Sequence, residues 1–305
     1  MPVIEVRSLV KHYKNVHALQ GVSIAVEKGE IYGLLGQNGA GKTTMVKLLL
    51  SIVKPTSGEA LLLGKPAGDV RAREKVGYLP EDHRFPEYHT GASALEYYAA
   101  LSGVPRAERR KRIPPMLEQV GIADAANRKI RTYSKGMKQR LGLAQAMIHD
   151  PEVLFLDEPT DGVDPLGRKH IRELLLHLKG QGKTIFLNSH LLSEVEMITD
   201  RVGILELGKL RREDTVSNLT VQKDSYELKL DGKFDALVPE IQKRVRGLRR
   251  IEAGVEVDVE SKEQLNALVD YLRSQNVTLA GMSQKKQTLE DVFIETLQKP
   301  QDGAA

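Results

Sequence analysis

The run Gly36-Gln37-Asn38-Gly39-Ala40-Gly41-Lys42-Thr43-Thr44 constrains this chain more than any other stretch, because glycines closed by Gly-Lys-Thr have few uses. A buried strand is expected just before it, in the apolar run Ile31-Tyr32-Gly33-Leu34-Leu35, and an apolar helix just after it, over residues 45–53. Glycines let backbone N–H groups turn inward around an anion, and a helix N-terminus adds favourable partial charge. In the pattern G-x-x-x-x-G-K-[ST], Lys42 reaches the β- and γ-phosphates of a nucleotide and Thr43 offers its hydroxyl to Mg2+. About one chain in a hundred of this length carries the pattern by chance; the strand before and the helix after make it a phosphate loop. The glycine order does not fit G-x-G-x-x-G, which argues against a dinucleotide site.

Other segments extend the same architecture. Val153-Leu154-Phe155-Leu156 and Thr184-Ile185-Phe186-Leu187 are short, continuously apolar runs, as strands buried on both faces are. Between them Ile171, Leu174, Leu175 and Leu178 recur at helical spacing on one face. Buried strands alternating with helices predict an α/β core with a mainly parallel sheet. Residues 22–35 read as two strands joined by a turn at Lys28-Gly29. Residues 85–150 read as a helical insertion with loops near Gly103-Val104-Pro105 and Pro114-Pro115, and the basic run 106–112 as a solvated helix face. Beyond residue 220 the pattern changes. Residues 225–230 and Val255-Glu256-Val257-Asp258-Val259 alternate as half-exposed strands, and Asp231-Gly232 marks a turn. Leu265, Leu268, Val269 and Leu272 give an amphipathic helix, and Thr288-Leu289-Glu290-Asp291 opens another with a capping-box-like start. The expected organisation is a core domain over residues 1–220 and a small α+β domain over 221–305.

Composition removes several alternatives. The 305 residues allow for about two domains. A net charge of +4 is too small an excess to argue for nucleic acid, so no nucleic-acid partner is expected. With no cysteine there are no disulfides or thiolate metal sites, which fits a reducing compartment. No apolar run approaches the roughly 18 residues that a membrane span needs, and residues 1–10 hold no secretory apolar region. A cytoplasmic location is expected, with any membrane role exercised through another chain.

The run ending in Leu156 is followed by Asp157 and Glu158, which puts two carboxylates at the end of a buried strand. Ligands of open α/β sheets bind beyond the carboxyl ends of the strands. Asp157 is placed to hold Mg2+ and Glu158 to polarise the water that attacks a γ-phosphate. Acids after a strand are commonly just loop solubilisers; the phosphate loop upstream favours function here.

Leu156-Asp157-Glu158-Pro159-Thr160-Asp161-Gly162-Val163-Asp164-Pro165 resembles the Walker B and D-loop segment of ABC ATPases, and Tyr133-Ser134-Lys135-Gly136-Met137-Lys138-Gln139-Arg140 resembles their signature segment. The resemblance covers residues 1 to about 215. It implies a phosphate-loop ATPase core with an N-terminal β subdomain, two subunits packed head to tail, and ATP held between residues 36–44 of one chain and Ser134 and Gly136 of the other. It further implies that Tyr13 stacks on adenine, that His190 contacts the γ-phosphate, and that Glu81, in Gly77-Tyr78-Leu79-Pro80-Glu81, stands where the family carries a glutamine near Mg2+. The family's usual L-S-G-G-Q is altered: Lys135 replaces a glycine and Met137 the glutamine, while Ser134 and Gly136 remain. Both departures, and the tail Thr288-Leu289-Glu290-Asp291-Val292-Phe293, are similar to the bacterial exporter branch whose permease is a separate chain. The expected protein is the ATP-hydrolysing subunit of such an exporter, a peripheral homodimer on a membrane permease, using ATP and Mg2+. The competing reading is a non-transport ABC ATPase acting on nucleic acid or a ribosome. Those proteins usually carry a coiled coil, zinc modules or a second cassette, and none is present here.

Overall fold

The computed structural model describes residues 2–220, 222–231 and 234–298. The chain divides into two units. The first runs to Val216 and takes in the chain again from Phe293; the second is Ser217–Val292.

The first unit is built on a six-stranded sheet in the order Lys209–Thr215, Arg201–Glu206, Ile31–Leu35, Thr184–Asn188, Val153–Asp157, Val76–Leu79. Every pairing from Arg201–Glu206 onward is parallel, and only the hairpin of the first two strands is antiparallel. Every residue of Ile31–Leu35, Val153–Asp157 and Thr184–Asn188 is buried, which is why these segments lack polar alternation. A second, antiparallel sheet has the order Val16–Val26, Ile4–Tyr13, Ser57–Leu62, Lys65–Pro66. Its inner residues Ile4, Leu9, Leu19 and Ile24 share one core with Met45 and Leu49 of the loop-following helix and with Phe155 and Phe186.

One local expectation is met and one needs correction. The two strands joined by the turn at Lys28-Gly29 both form, as Val16–Val26 and Ile31–Leu35, and they lie in different sheets. Both edges of Ile31–Leu35 are taken by parallel neighbours, leaving no edge for a hairpin partner. Pro114 and Pro115 are not in a loop: they lie inside the helix Arg106–Gln119. An interior proline costs a hydrogen bond and clashes with the preceding turn. Burial of Ile113 and Leu117 on the inner face of this helix holds it through the break. Its basic run behaves as expected, with Arg106, Arg110 and Lys111 exposed and Arg109 paired to Glu96 at 2.8 Å.

In the second unit four antiparallel strands, in the order Gly247–Ile251, Gly254–Asp258, Gln222–Asp231, Thr278–Lys286, carry the helix Lys262–Ser274. Leu265, Leu268 and Leu272 of that helix pack against Tyr226, Leu228, Val255 and Val257. At the start of the last helix, Thr288 N donates to Asp291 Oδ2 at 3.0 Å and Asp291 N donates to Thr288 Oγ1 at 3.1 Å, a reciprocal capping box. Gly232 of the expected Asp231-Gly232 turn lies outside the described residues.

Candidate functional site

The strand Ile31–Leu35 delivers the chain to Gly36, and the helix Lys42–Leu49 takes it away. Between them the backbone passes too close to its surroundings for a side chain at either end. A Cβ at Gly36 would lie 2.5 Å from the Leu205 carbonyl oxygen, and one at Gly41, where φ is +109°, would lie 2.4 Å from that of Ala18. Lys42 is buried and curls back over the loop, its Nζ donating to the carbonyl oxygens of Gly36 at 2.6 Å and Gln37 at 3.2 Å. Burial pulls its pKa down, and the facing carboxylates of Glu158, Asp157 and Glu81 oppose that. A cation so placed is satisfied by the loop itself and free to transfer to a phosphate oxygen.

Asp157 ends its strand opposite Asn188 of the neighbouring one. Its Oδ1 accepts a hydrogen bond from Asn188 Nδ2, while Asp157 Oδ2 and Asn188 Oδ1 are buried without a hydrogen-bond partner. Burial foremost, then the neighbouring charge of Glu81, push the Asp157 carboxyl up to about 6, against the lowering hydrogen bond from Asn188. Two partnerless acceptor oxygens and a carboxylate that burial disfavours fit a divalent cation, which would relieve both.

Glu158 follows in the left-handed region, φ +51°, where a non-glycine residue is uncommon. Its N–H donates to the Asn188 carbonyl at 2.8 Å, and its own carbonyl accepts from the buried Gln139 Nε2 at 2.8 Å. Its Oε2 accepts from Ser189 Oγ at 3.2 Å, and its Oε1 lies 2.8 Å from His190 Nδ1. The His190 side chain is otherwise open, 58% exposed.

Lys42 and Glu158 line a single cleft of about 850 Å³ together with Tyr13, Asn38, Gly39, Gly41, Thr43, Thr44, Glu81, Asp157 and His190. Gly36, Gln37 and Ala40 belong to the loop but not to the cleft wall. Ser134 and Gly136 are elsewhere, at the start of the helix Lys135–Met147, with Ser134 exposed and accepting a capping hydrogen bond from Met137 N. Asn188 and His17 also line the cleft and were not anticipated. Asn188 carries a readable signal, an amide at the carboxyl end of a buried strand beside that of the acid pair; His17 carries none.

Fold and cleft together are those of a phosphate-loop nucleoside triphosphatase. The ABC transporter family profile matches residues 19–161, and the profile for the C-terminal domain of DrrA1-3-like ATP-binding proteins matches residues 219–297. An uncharacterized ABC transporter ATP-binding protein of Synechocystis is 42% identical, with 97% of this chain and 85% of that protein covered. The bacitracin transport ATP-binding protein of Bacillus licheniformis is 37% identical, over 77% of this chain and 78% of that one. A dimeric ATP-binding cassette solved in a post-hydrolysis state with ADP and phosphate superposes with a TM-score of 0.65 at 26% identity, over 70% of this chain and 98% of that one. The chain belongs to the ATP-binding subunits of ABC transporters, and its reaction is ATP hydrolysis. Among the described residues, no helix is long and apolar enough to cross a membrane.

Proposed function

We propose that two copies of this chain, packed head to tail, drive export through a separate membrane permease from the cytoplasmic side. The observation that carries the dimer is the separation within one chain: the cleft holds Lys42, Asp157, Glu158 and His190 but not Ser134 or Gly136. Ser134 and Gly136 of the second copy would close over the nucleotide, and because one sequence contains both halves the dimer is a homodimer. Export rests on the resemblance of the altered signature and of the tail over residues 288–293 to the exporter branch, and a bacitracin transport ATP-binding protein among the relatives supports a transport role. Support for a permease comes from the helical insertion, where Tyr88 is 72% and Leu101 67% exposed, with Tyr97 also open. Large apolar side chains held out to solvent on the helix Gly91–Leu101 and in the turn before it suit a protein partner.

In this reading Tyr13 stacks on the adenine, and Lys42 exchanges its loop carbonyls for the β- and γ-phosphate oxygens, which the N–H groups of residues 39–44 surround. Thr43 and Asp157 would hold Mg2+, with Glu81 near it, and the ion supplies charge neutralisation on those oxygens. Glu158 accepts a proton as water attacks the γ-phosphorus, ADP leaves, and His190, released from Glu158, donates to the γ-phosphate. Loss of the bridging γ-phosphate opens the dimer.

Glu158→Gln is the test. A positioned base contributes roughly 10²–10⁴ in rate, so turnover falls by that factor while the variant sediments as a dimer with ATP. Near wild-type turnover removes Glu158 from the role, and a persistent monomer removes the two-copy arrangement. Co-purification with ribosomes or DNA in place of a permease would favour the non-transport reading.

A further inference from the structure

Two side chains of the helix Lys135–Met147 bear on the segment carrying Glu158. Lys135 and Gln139 stand one turn apart, so they share a face. The Gln139 amide is 2% exposed and donates to the Glu158 carbonyl at 2.8 Å. That same oxygen accepts from Asp161 N at 3.1 Å, closing the turn that follows the strand. At the other end of the turn, Lys135 Nζ lies 2.7 Å from Asp161 Oδ2. The aliphatic stem of Lys135 crosses Gly162, where a Cβ would fall 2.3 Å from its Cδ. The lysine that departs from the usual signature thus has a partner, an acid in the adjoining segment.

We propose that Gln139 and Lys135 are positioning residues that grip residues 158–162 at both ends and aim the Glu158 carboxylate from the helix whose first residues serve the other copy's nucleotide. The proposal rests on the head-to-tail reading above. Glu158 occupies a backbone conformation it would not choose, and a donor to its carbonyl is what fixes the peptide plane on which its side chain turns. When Ser134 and Gly136 engage a phosphate on the second copy, the helix is drawn with them. Its grip then tightens on the base of its own site, so each site is set by occupation of the other.

Gln139→Leu removes the donor and keeps an apolar body of similar size. A displacement of about 1 Å at a reacting group costs on the order of 10²-fold in rate, so kcat should fall by about that factor with KM for ATP within about twofold of wild type. The Hill coefficient for ATP should drop toward one. In a Glu158→Gln background, where no base needs aiming, adding Gln139→Leu should leave the ATP-dependent dimer intact. Lys135→Glu and Asp161→Lys, both at exposed positions, should each lower kcat by roughly two- to fivefold, the scale of an exposed ion pair, and their combination should restore it. Unchanged kcat in Gln139→Leu, loss of the dimer in the Glu158→Gln background, or absence of rescue in the charge swap overturns the positioning role. If Glu158→Gln alone fails to dimerise, the two-copy reading itself falls.

Discussion

At the scale of single residues, the cleft concentrates groups that are unfavourable where they stand until a ligand arrives. Asp157 is the clearest. Its pKa of about 6 against an ordinary value near 3.8 means the folded, metal-free protein holds a proton there more tightly than the unfolded chain does. The stability tied to this group is therefore present in full below about pH 4, is lost as pH rises toward 6, and stays lost above. Asp157→Asn keeps the Asn188 hydrogen bond and removes the charge. In the absence of Mg2+ the variant should exceed wild type in stability by about 1–3 kcal/mol above pH 6.5, with the gain shrinking to near zero by pH 4. Thermal unfolding at a series of pH values reads this, and a pH-independent difference contradicts it. Mg2+ with ATP should stabilise wild type and leave the variant behind. Asp157 and Glu158 were legible in the sequence because they are adjacent and end an apolar run. Asn188 and Gln139 act across long sequence separations, and an amide has no spacing rule comparable to that of a phosphate loop.

Among the elements, legibility followed how much local chemistry each one contains. The loop of residues 36–44 was readable as it stands, since its glycines answer to backbone geometry. Gly41 tests this. Alanine there would have to accept φ +109° and a Cβ 2.4 Å from a backbone carbonyl, neither of which a flexible neighbour can relieve. Gly41→Ala should weaken ATP binding by at least about tenfold, the scale set by strain of order 1–3 kcal/mol, measured by fluorescent-nucleotide titration. Unaltered affinity would mean the loop does not hold the phosphates. The helix Arg106–Gln119 shows the opposite case. Two adjacent prolines speak locally for a break, and only the burial of Ile113 and Leu117 decides otherwise, an effect no window of sequence contains. The turn at Lys28-Gly29 shows the same limit in another form: both strands it joins were legible, but which sheet each enters depends on the edges that distant strands have taken.

For the whole molecule the consequence is a division of labour between two cores. Residues such as Met45, Phe155 and Phe186 belong to one cluster, and Tyr226, Leu228, Val257 and Leu268 to another, with no residue in common. Every group lining the cleft shared by Lys42 and Glu158 comes from the first unit. Damage confined to the second core should therefore be felt as stability and not as nucleotide binding. Leu228 is fully buried on one of the two inner strands of its sheet, and truncating a buried leucine to alanine costs about 2–5 kcal/mol through lost transfer energy and the cavity left behind. In Leu228→Ala, hydrogen exchange should accelerate across residues 222–292, by a factor that follows from that cost, while amides of the strands Ile31–Leu35 and Val153–Asp157 keep their wild-type rates. ATP affinity of the full chain should stay within about twofold. If the cleft strands lose protection in parallel with the second unit, the two cores unfold as one cooperative body and the division by function has no counterpart in stability. If protection is lost only beyond residue 220, the accessory unit is free to vary or to regulate without disturbing the chemistry of ATP hydrolysis.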